Sequence, residues 1–365
     1  EDPVIKHLPQ FAMHDAWVTE HMQVRDLLIH NSGLGLGAGD LMLWPEPNQF
    51  DRAAIIAGLA HLKPVTSFRA GYAYDNLLYV VAGEVAAAAA GKPFNQLLRE
   101  EIFAPLGMTR CQAGDWSPTT LGNVAQPHRR GAQGPVVGRR DGDWEADFPS
   151  MAAGGVRCSL NDMLRWSQVL LDPDLVPGWL DATQRRALWS AHMPMPIAQR
   201  LRDWDNTHFL AYGYGWRLSD MDGQGKVAHT GTLSGMYSSL ALLPDTKNGA
   251  VILINGEGEA ARTTLMQALL KRWTAPRAGL DVDHYADLLD AQRSEQVAAG
   301  RVRPDTRGAT AVPASAALAT GIYRDAWFGE VSLCPVGDQV QWRSVRSPRM
   351  LATVKQLDGR LLLDW

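Results

Sequence analysis

A tyrosine, an asparagine two residues on, and a distant histidine are the side chains of this sequence best suited to moving a proton or holding a carbonyl group. They lie in Tyr74-Asp75-Asn76 and in His229-Thr230-Gly231-Thr232. A phenol beside cationic groups can shed its proton near neutral pH and act as a general base. The Asn76 amide is suited to a ligand carbonyl. Gly231 lets another backbone or a ligand approach closely, and the Thr232 amide behind it suits a developing oxyanion. Each residue also has a plainer reading: Tyr74 as a packed core aromatic, Asn76 as a helix N-cap, His229 as the tip of an ordinary hairpin. Taken singly, neither stretch outweighs that plainer reading.

The elements that must position them can be drawn from pattern. Residues 227–229, 237–243 and 250–255 read as three short strands, bounded by the turn sequences GTLSG and PDTKNG. An edge-type strand over 212–218 leads into them. The alanine-rich stretch 77–90 reads as a helix starting directly after Asn76. Other helices are expected at 19–30, with Gly33 as C-cap, at 53–62 behind Asp51, and at 94–102 and 181–193. Another spans 159–171, capped by Ser159 or Asn161, with Leu164, Val169 and Leu170 inward. A helix at 257–273 carries Leu265, Leu269 and Trp273 on one face. Helices first, then sequential strands, then a closing helix describe an α+β sandwich with an antiparallel sheet. The expected division is a main domain over 1–275, a connector helix (283–299) with linkers over 276–313, and a small all-β unit over 314–365.

Composition excludes several classes. The 365 residues are 46% hydrophobic and 20% charged, with net charge −4, which argues against nucleic acid as a partner. The pairs Arg129-Arg130 and Arg139-Arg140 read as solvated loop. No run approaches the ~18 apolar residues of a membrane span, and 77–91, interrupted by Glu84, reads as a buried helix. Cys111, Cys158 and Cys334 are odd in number and suggest neither a disulfide framework nor a zinc site. The histidines form no H-x-H or HExxH, Asp141-Gly-Asp143 resembles a calcium loop only faintly, and no metal or organic cofactor is implied. NSGLGLGAGD follows a helix and lacks the G-x-G-x-x-G spacing, so it reads as loop. No G-x-S-x-G elbow is present. Residues 110–150 form an excursion that, with 190–210, shapes any pocket.

Together the motifs resemble a known family. His30-Asn-Ser-Gly-Leu34, Phe68 with Tyr74-Asp-Asn76, Pro105-Leu-Gly-Met108, Ala152-Ala-Gly-Gly155 and His229-Thr-Gly-Thr232 follow the order and spacing of serine hydrolases of the class C β-lactamase and D-Ala-D-Ala peptidase group, which includes related esterases. The resemblance covers about residues 1–275, and 314–365 is similar to the start of the β domain that trails many such hydrolases. It implies acyl transfer through a serine ester, acting on a small-molecule or peptide substrate. Tyr74 matches the proton-relaying tyrosine and Asn76 the substrate-positioning amide. His229 replaces the lysine more usual in β-lactamases, and Gly231 and Thr232 border the oxyanion side. A periplasmic or secreted location is implied in the same way. The departure is the nucleophile: no serine is followed three residues on by lysine, and Ser32, Ser67, Ser159 and Ser234 all fail. In the family that motif precedes the equivalent of Asp2-Pro3. The expectation is therefore a nucleophile upstream of Glu1, in the same or a separate N-terminal segment. The alternative is a catalytically inactive member that binds wall peptides or a similar ligand.

Overall fold

Asp15 opens the segment that ends at His30. The computed structural model describes residues 1–114, 122–138, 149–299, 306, 308–315 and 320–365, so Arg139-Arg140, Asp141-Gly-Asp143 and part of the 301–313 linker lie outside the described residues. Asp15 accepts from the Trp17 and Val18 N–H groups and starts α1 (Ala16–His21). The single helix expected over 19–30 is broken at Met22, because Gln23 and Asp26 form their own capping box and start α2 (Val24–Leu27). Buried Asp26 also accepts from Asn31 Nδ2 at 3.0 Å and from Arg69 Nε and Nη2 at 3.0 and 2.6 Å. This cluster fixes the chain leading into His30. Arg69→Met leaves that carboxylate buried and without its counter-charge, and should lower the unfolding free energy by about 1–3 kcal/mol, since the arginine is partly solvated and Asp26 keeps its bonds to Asn31 and the Gln23 N–H. Urea denaturation reads the change directly, and an unmoved midpoint would count against it.

Asp51 caps α3 (Arg52–Gly58) through the Ala54 N–H at 2.7 Å. The alanine-rich helix α4 (Leu77–Ala90) closes on Gly91 at φ 63°, where a left-handed residue is needed. Its cap is Asp75, whose Oδ1 accepts from Leu77 N–H at 2.8 Å; Asn76 makes no cap bond. Leu77, Leu78, Val81 and Val85 are buried against Leu27, Met42, Ile55 and Leu59, which makes α4 the axis of a helical lobe. Among the described residues no single helix is long and apolar enough to cross a membrane.

Phe94–Leu97 is α-helical but continues as a π-helical turn, Leu98–Phe103, where a plain helix to 102 is expected. Cys111 and Cys158 form a disulfide, against the expectation drawn from their odd number; Cys334 is the free thiol that made the count odd. The bond fastens β1 (Gln112–Ala113) to β4 (Val156–Arg157), closing the base of the excursion that carries β2 (His128–Gly131) and β3 (Gly134–Val137). A cross-link spanning 47 residues removes about 4 kcal/mol of chain entropy from the unfolded state.

α5 (Leu160–Leu171) starts at Ser159, whose Oγ accepts from Asp162 N–H at 3.2 Å. Val169 and Leu170 are buried as expected, but Leu164 is 40% exposed. α6 (Ala182–Leu188) is shorter than the expected 181–193 and is followed by α7 (Gln199–Asp205).

β5 (Met193–Pro194), β6 (Leu210–Tyr212), β7 (Arg217–Met221), β8 (Gln224–Leu233), β9 (Met236–Leu243) and β10 (Asn248–Ile254) form an antiparallel meander in that order. The single edge strand expected over 212–218 is two interior strands joined by a turn. Gly213 N–H reaches Trp216 O at 2.8 Å, and a Cβ at Gly213 would collide with Leu188 O. β8 also runs further than expected, so Thr230 to Leu233 is strand and only Ser234-Gly235 turns. Gly235 has φ 73°, and a side chain there would press on the His128 main chain. The register sets His229 opposite Leu240, Gly231 opposite Ser238 and Thr232 opposite Tyr237.

Alternation along β9 divides the sheet between two layers. Leu240 and Leu242 pack with Leu170 of α5, and Ala241 and Leu243 pack with Met266 and Leu270 of α8 (Glu259–Thr274). Of the expected apolar stripe on α8 only Trp273 packs inward: Leu265 and Leu269 are each 37% exposed, whereas Arg262, Gln267 and Lys271 face inward beside Met266 and Leu270. Oxygen partners allow this. Asp205 takes Lys226 and Gln267, and Asp222 takes Lys271 Nζ at 2.7 Å. Tyr285 of α9 (Val282–Ala298) then packs against Trp204, the ring centroids 5.1 Å apart and the planes tilted.

The C-terminal strands β11 (Thr310–Ala311), β12 (Gly321–Asp325), β13 (Gly329–Val336), β14 (Gln339–Ser344), β15 (Leu351–Leu357) and β16 (Arg360–Asp364) make a second antiparallel sheet. Phe328 and Met350 enter the same core as Phe50 and Ile55, and the Arg346 guanidinium lies 3.9 Å above the Phe50 ring. Gln49 N–H donates to Arg346 O at 2.7 Å and Arg349 Nη1 to Glu46 O at 2.6 Å.

Candidate active site

His30 lies at the centre of an aromatic cluster. It sits at φ 57° and is buried, with ring centroids 4.3 Å from Tyr74, 4.8 Å from Tyr212, 5.1 Å from Tyr79 and 5.6 Å from Tyr72. Its Nδ1 accepts the Asp75 N–H at 3.0 Å, so the neutral ring carries its proton on Nε2. Burial, then the nearby His229 and Arg217, depress its pKa to about 3. His30 is thus the structural hydrogen-bonding residue beneath the site, and it holds the loop that leads into α4 and presents Tyr74.

Tyr74 and His229 face each other with ring centroids 6.3 Å apart, bringing the two halves of the chain to one place. His229 Nε2 lies 3.0 Å from the Tyr212 hydroxyl. Burial, then Arg217, lowers the His229 pKa to about 4, so the imidazole is neutral at physiological pH. Arg217 supplies the cation that a reactive phenol needs, its guanidinium 5.9 Å from the Tyr74 ring centre. Burial nevertheless outweighs it and raises the Tyr74 pKa. The phenol therefore rests protonated, correcting the expectation that it sheds its proton near neutral pH.

Asn76 is placed beside Tyr74, but its Nδ2 donates to the Asp40 carboxylate, at 3.2 and 3.1 Å to the two oxygens. Burial raises the pKa of Asp40, with Asn76 opposing. Asp75, fully buried between the two site residues, is pushed up to about 7 by the same desolvation. Gly231 and Thr232 lie two and three residues beyond His229 on β8. A side chain at Gly231 would collide with Ser238 Oγ, so the glycine serves the close approach of the neighbouring strand. Thr232 is exposed, and Arg262 Nη1 donates to its Oγ1 at 2.9 Å. Among the described residues, no cluster of His, Cys, Asp or Glu is arranged to hold a metal ion.

Motif and spacing did not single out Arg217, Tyr212, Asp40 or Arg262. Only the run Tyr212-Gly-Tyr-Gly-Trp216 offers a local signal, as an unusually dense aromatic turn. The arginines reach the site from one strand and one helix, which spacing cannot foresee.

A family model described as Beta-lactamase matches residues 1–271. Penicillin-binding protein 4 of Amycolatopsis lactamdurans is 27% identical over 258 residues, covering 68% of this chain and 63% of that protein. The D-alanyl-D-alanine-carboxypeptidase/endopeptidase AmpH of Escherichia coli (strain K12) is 25% identical over 267 residues, covering 69% of this chain and 63% of that protein. The chain thus spans less than two thirds of the length of these curated relatives. Among solved structures, the octameric penicillin-binding protein homologue from Pyrococcus abyssi aligns with TM-score 0.61 at 17% identity, covering 100% of this chain and 77% of that one. The D-amino acid amidase from Ochrobactrum anthropi SV3 aligns with TM-score 0.54 at 21% identity, covering 81% and 78%. These last two likenesses concern the fold, which is the expected α+β arrangement of helices on antiparallel sheet. The family model covers most of the polypeptide, and the chain belongs to the beta-lactamase family.

Proposed function

We propose that this chain forms the proton-transfer and substrate-facing part of a serine hydrolase that cleaves an amide or ester through an acyl-serine intermediate. The observation that carries it is the approach of the Tyr74 and His229 rings to 6.3 Å, with Arg217 beside both. In this reading the nucleophile comes from residues outside 1–365, since no serine of the chain has a lysine three residues on. The serine oxygen attacks the carbonyl, and the tetrahedral oxyanion meets the Thr232 main-chain amide. As the serine oxygen bonds to the carbonyl carbon, its proton passes to the Tyr74 oxygen while the proton already on Tyr74 moves to the leaving nitrogen or oxygen, whose bond to the carbonyl carbon breaks and leaves the acyl-serine. Neutral His229, held by Tyr212, sets the polarity around that phenol. The cation of Arg217 favours a substrate with an acceptor or anionic group near the scissile bond. The carboxypeptidase and amidase names of the relatives support the same class. The Cys111–Cys158 disulfide supports a periplasmic or secreted setting.

A labelled fluorophosphonate or penicillin, applied to the protein together with its upstream sequence, tests this directly. The expected result is one covalent adduct on a serine outside 1–365, slowed by Tyr74→Phe. The missing Ser-x-x-Lys also supports a second reading, a ligand-binding member without turnover. An absence of adduct with both probes, alongside measurable binding of wall peptides, would favour that second reading.

A further inference from the structure

Arg262 is an unusual residue to bury. It is 9% exposed on the inner face of α8, with its guanidinium 5.1 Å from the Tyr237 ring centre. Among the described residues no carboxylate forms an ion pair with it. Its Nη1 donates instead to Gly231 O at 2.7 Å and Thr232 Oγ1 at 2.9 Å, with a longer contact to Ser238 O at 3.4 Å. Desolvating a cation is costly, so a position that keeps one points to a use for those donors.

The direction of the Thr232 bond is the informative part. A guanidinium has donors only, so the Thr232 hydroxyl must accept from it, and its own proton is left for another acceptor. A hydroxyl that accepts from a cation is polarised and donates more strongly in turn. Thr232 is exposed at the end of β8, three residues beyond His229, so that acceptor is a ligand atom or water.

We propose that Arg262 is a positioning residue that, through Gly231 and Thr232, commits the Thr232 hydroxyl to donate into the cleft and so binds a substrate oxygen next to the scissile bond. Thr232 touches the substrate and Arg262 acts through it, so α8 sets the height of the substrate-facing end of β8. This rests on the assignment of the Tyr74–His229 cleft as the hydrolytic site.

The test is a double-mutant cycle on the catalytically competent protein with a chromogenic ester, measuring KM and kcat separately. Arg262→Met and Thr232→Val should each raise KM on the order of tenfold. The combined variant should be no worse than Thr232→Val alone, because both remove the same bond. Losses that multiply to roughly a hundredfold in the combined variant overturn the proposal. Arg262→Lys, which keeps a buried cation and one donor, should recover most of the KM; a folded lysine variant as poor as the methionine one also overturns it. If Arg262→Met does not fold, Arg262→Gln, shorter and uncharged, carries the cycle, with the same non-additivity expected. Tyr74→Phe separates the two levels. An inactive Tyr74→Phe with an additive cycle sinks only the role of Arg262, whereas a fully active Tyr74→Phe sinks the site assignment beneath it.

Discussion

Tyr74→Phe lowers turnover of an activated ester by roughly 10²–10⁴-fold while leaving the unfolding transition where it was. The substitution removes one oxygen and nothing else from the packing, because the ring keeps its contact with His30 at 4.3 Å and its approach to His229 at 6.3 Å. Burial holds the proton on this phenol, so what the variant loses is a donor placed at the leaving group. The deficit should therefore be larger for an amide than for an ester with a good leaving group, since the amide nitrogen must be protonated to depart. Single-turnover acylation rates on both substrates, with circular dichroism as the folding check, read this out. Near wild-type rates on the amide would remove Tyr74 from the mechanism.

The second large effect is on stability against pH. His30 and His229 have folded pKa values of about 3 and about 4, below the 6.5 of a free imidazole. Between those values and 6.5 the unfolded chain binds protons that the folded chain refuses. Each histidine therefore makes stability rise with pH through that window, and the stability is lost as pH falls. Asp75, raised to about 7 from 3.8, has the opposite sign: its folded form keeps a proton that the unfolded form releases, and this contribution fades as pH climbs toward 7. Buried Asp40, also raised, acts in the same sense as Asp75. The clean observable is a difference between variants. Asp75→Asn should steepen the rise of unfolding free energy with pH between about 4 and 6.5 by roughly 1.4 kcal/mol per pH unit. His30→Asn should flatten it by a similar amount. Asparagine tolerates the φ of 57° at that position, and its carbonyl oxygen can still accept the Asp75 N–H. Parallel curves for wild type and both variants would mean that these groups do not titrate as their burial requires.

The site was legible where chemistry is written into short motifs. Tyr74 and His229 belong to patterns that need those residue types in that order, and their meeting follows from a helix start on one side and a strand on the other. The α+β arrangement was legible because strand-length apolar runs and alanine-rich or amphipathic stretches alternate clearly along the chain. What periodicity could not supply was which face of a helix is buried when polar side chains find partners. Leu265 and Leu269 looked like the inner face of α8, yet Arg262, Gln267 and Lys271 are inside because Asp205, Asp222 and the Gly231 carbonyl receive them. Nor could it place Arg217, whose relevance depends on strand register. The Cys111–Cys158 bond was hidden by parity alone, since one unpaired thiol makes any count odd.

The rings and guanidinium groups that join the C-terminal sheet to Phe50 have a practical consequence for anyone trimming this protein. A cut through the connector after α9 would not release a tidy, self-contained lobe. It would bare Phe50 to water and strip the Gln49 and Glu46 main chain of their arginine partners, on the same lobe that anchors α4 and, through it, Tyr74. Shortened versions should therefore aggregate or lose the placement of Tyr74 against His229 even though every motif residue is retained.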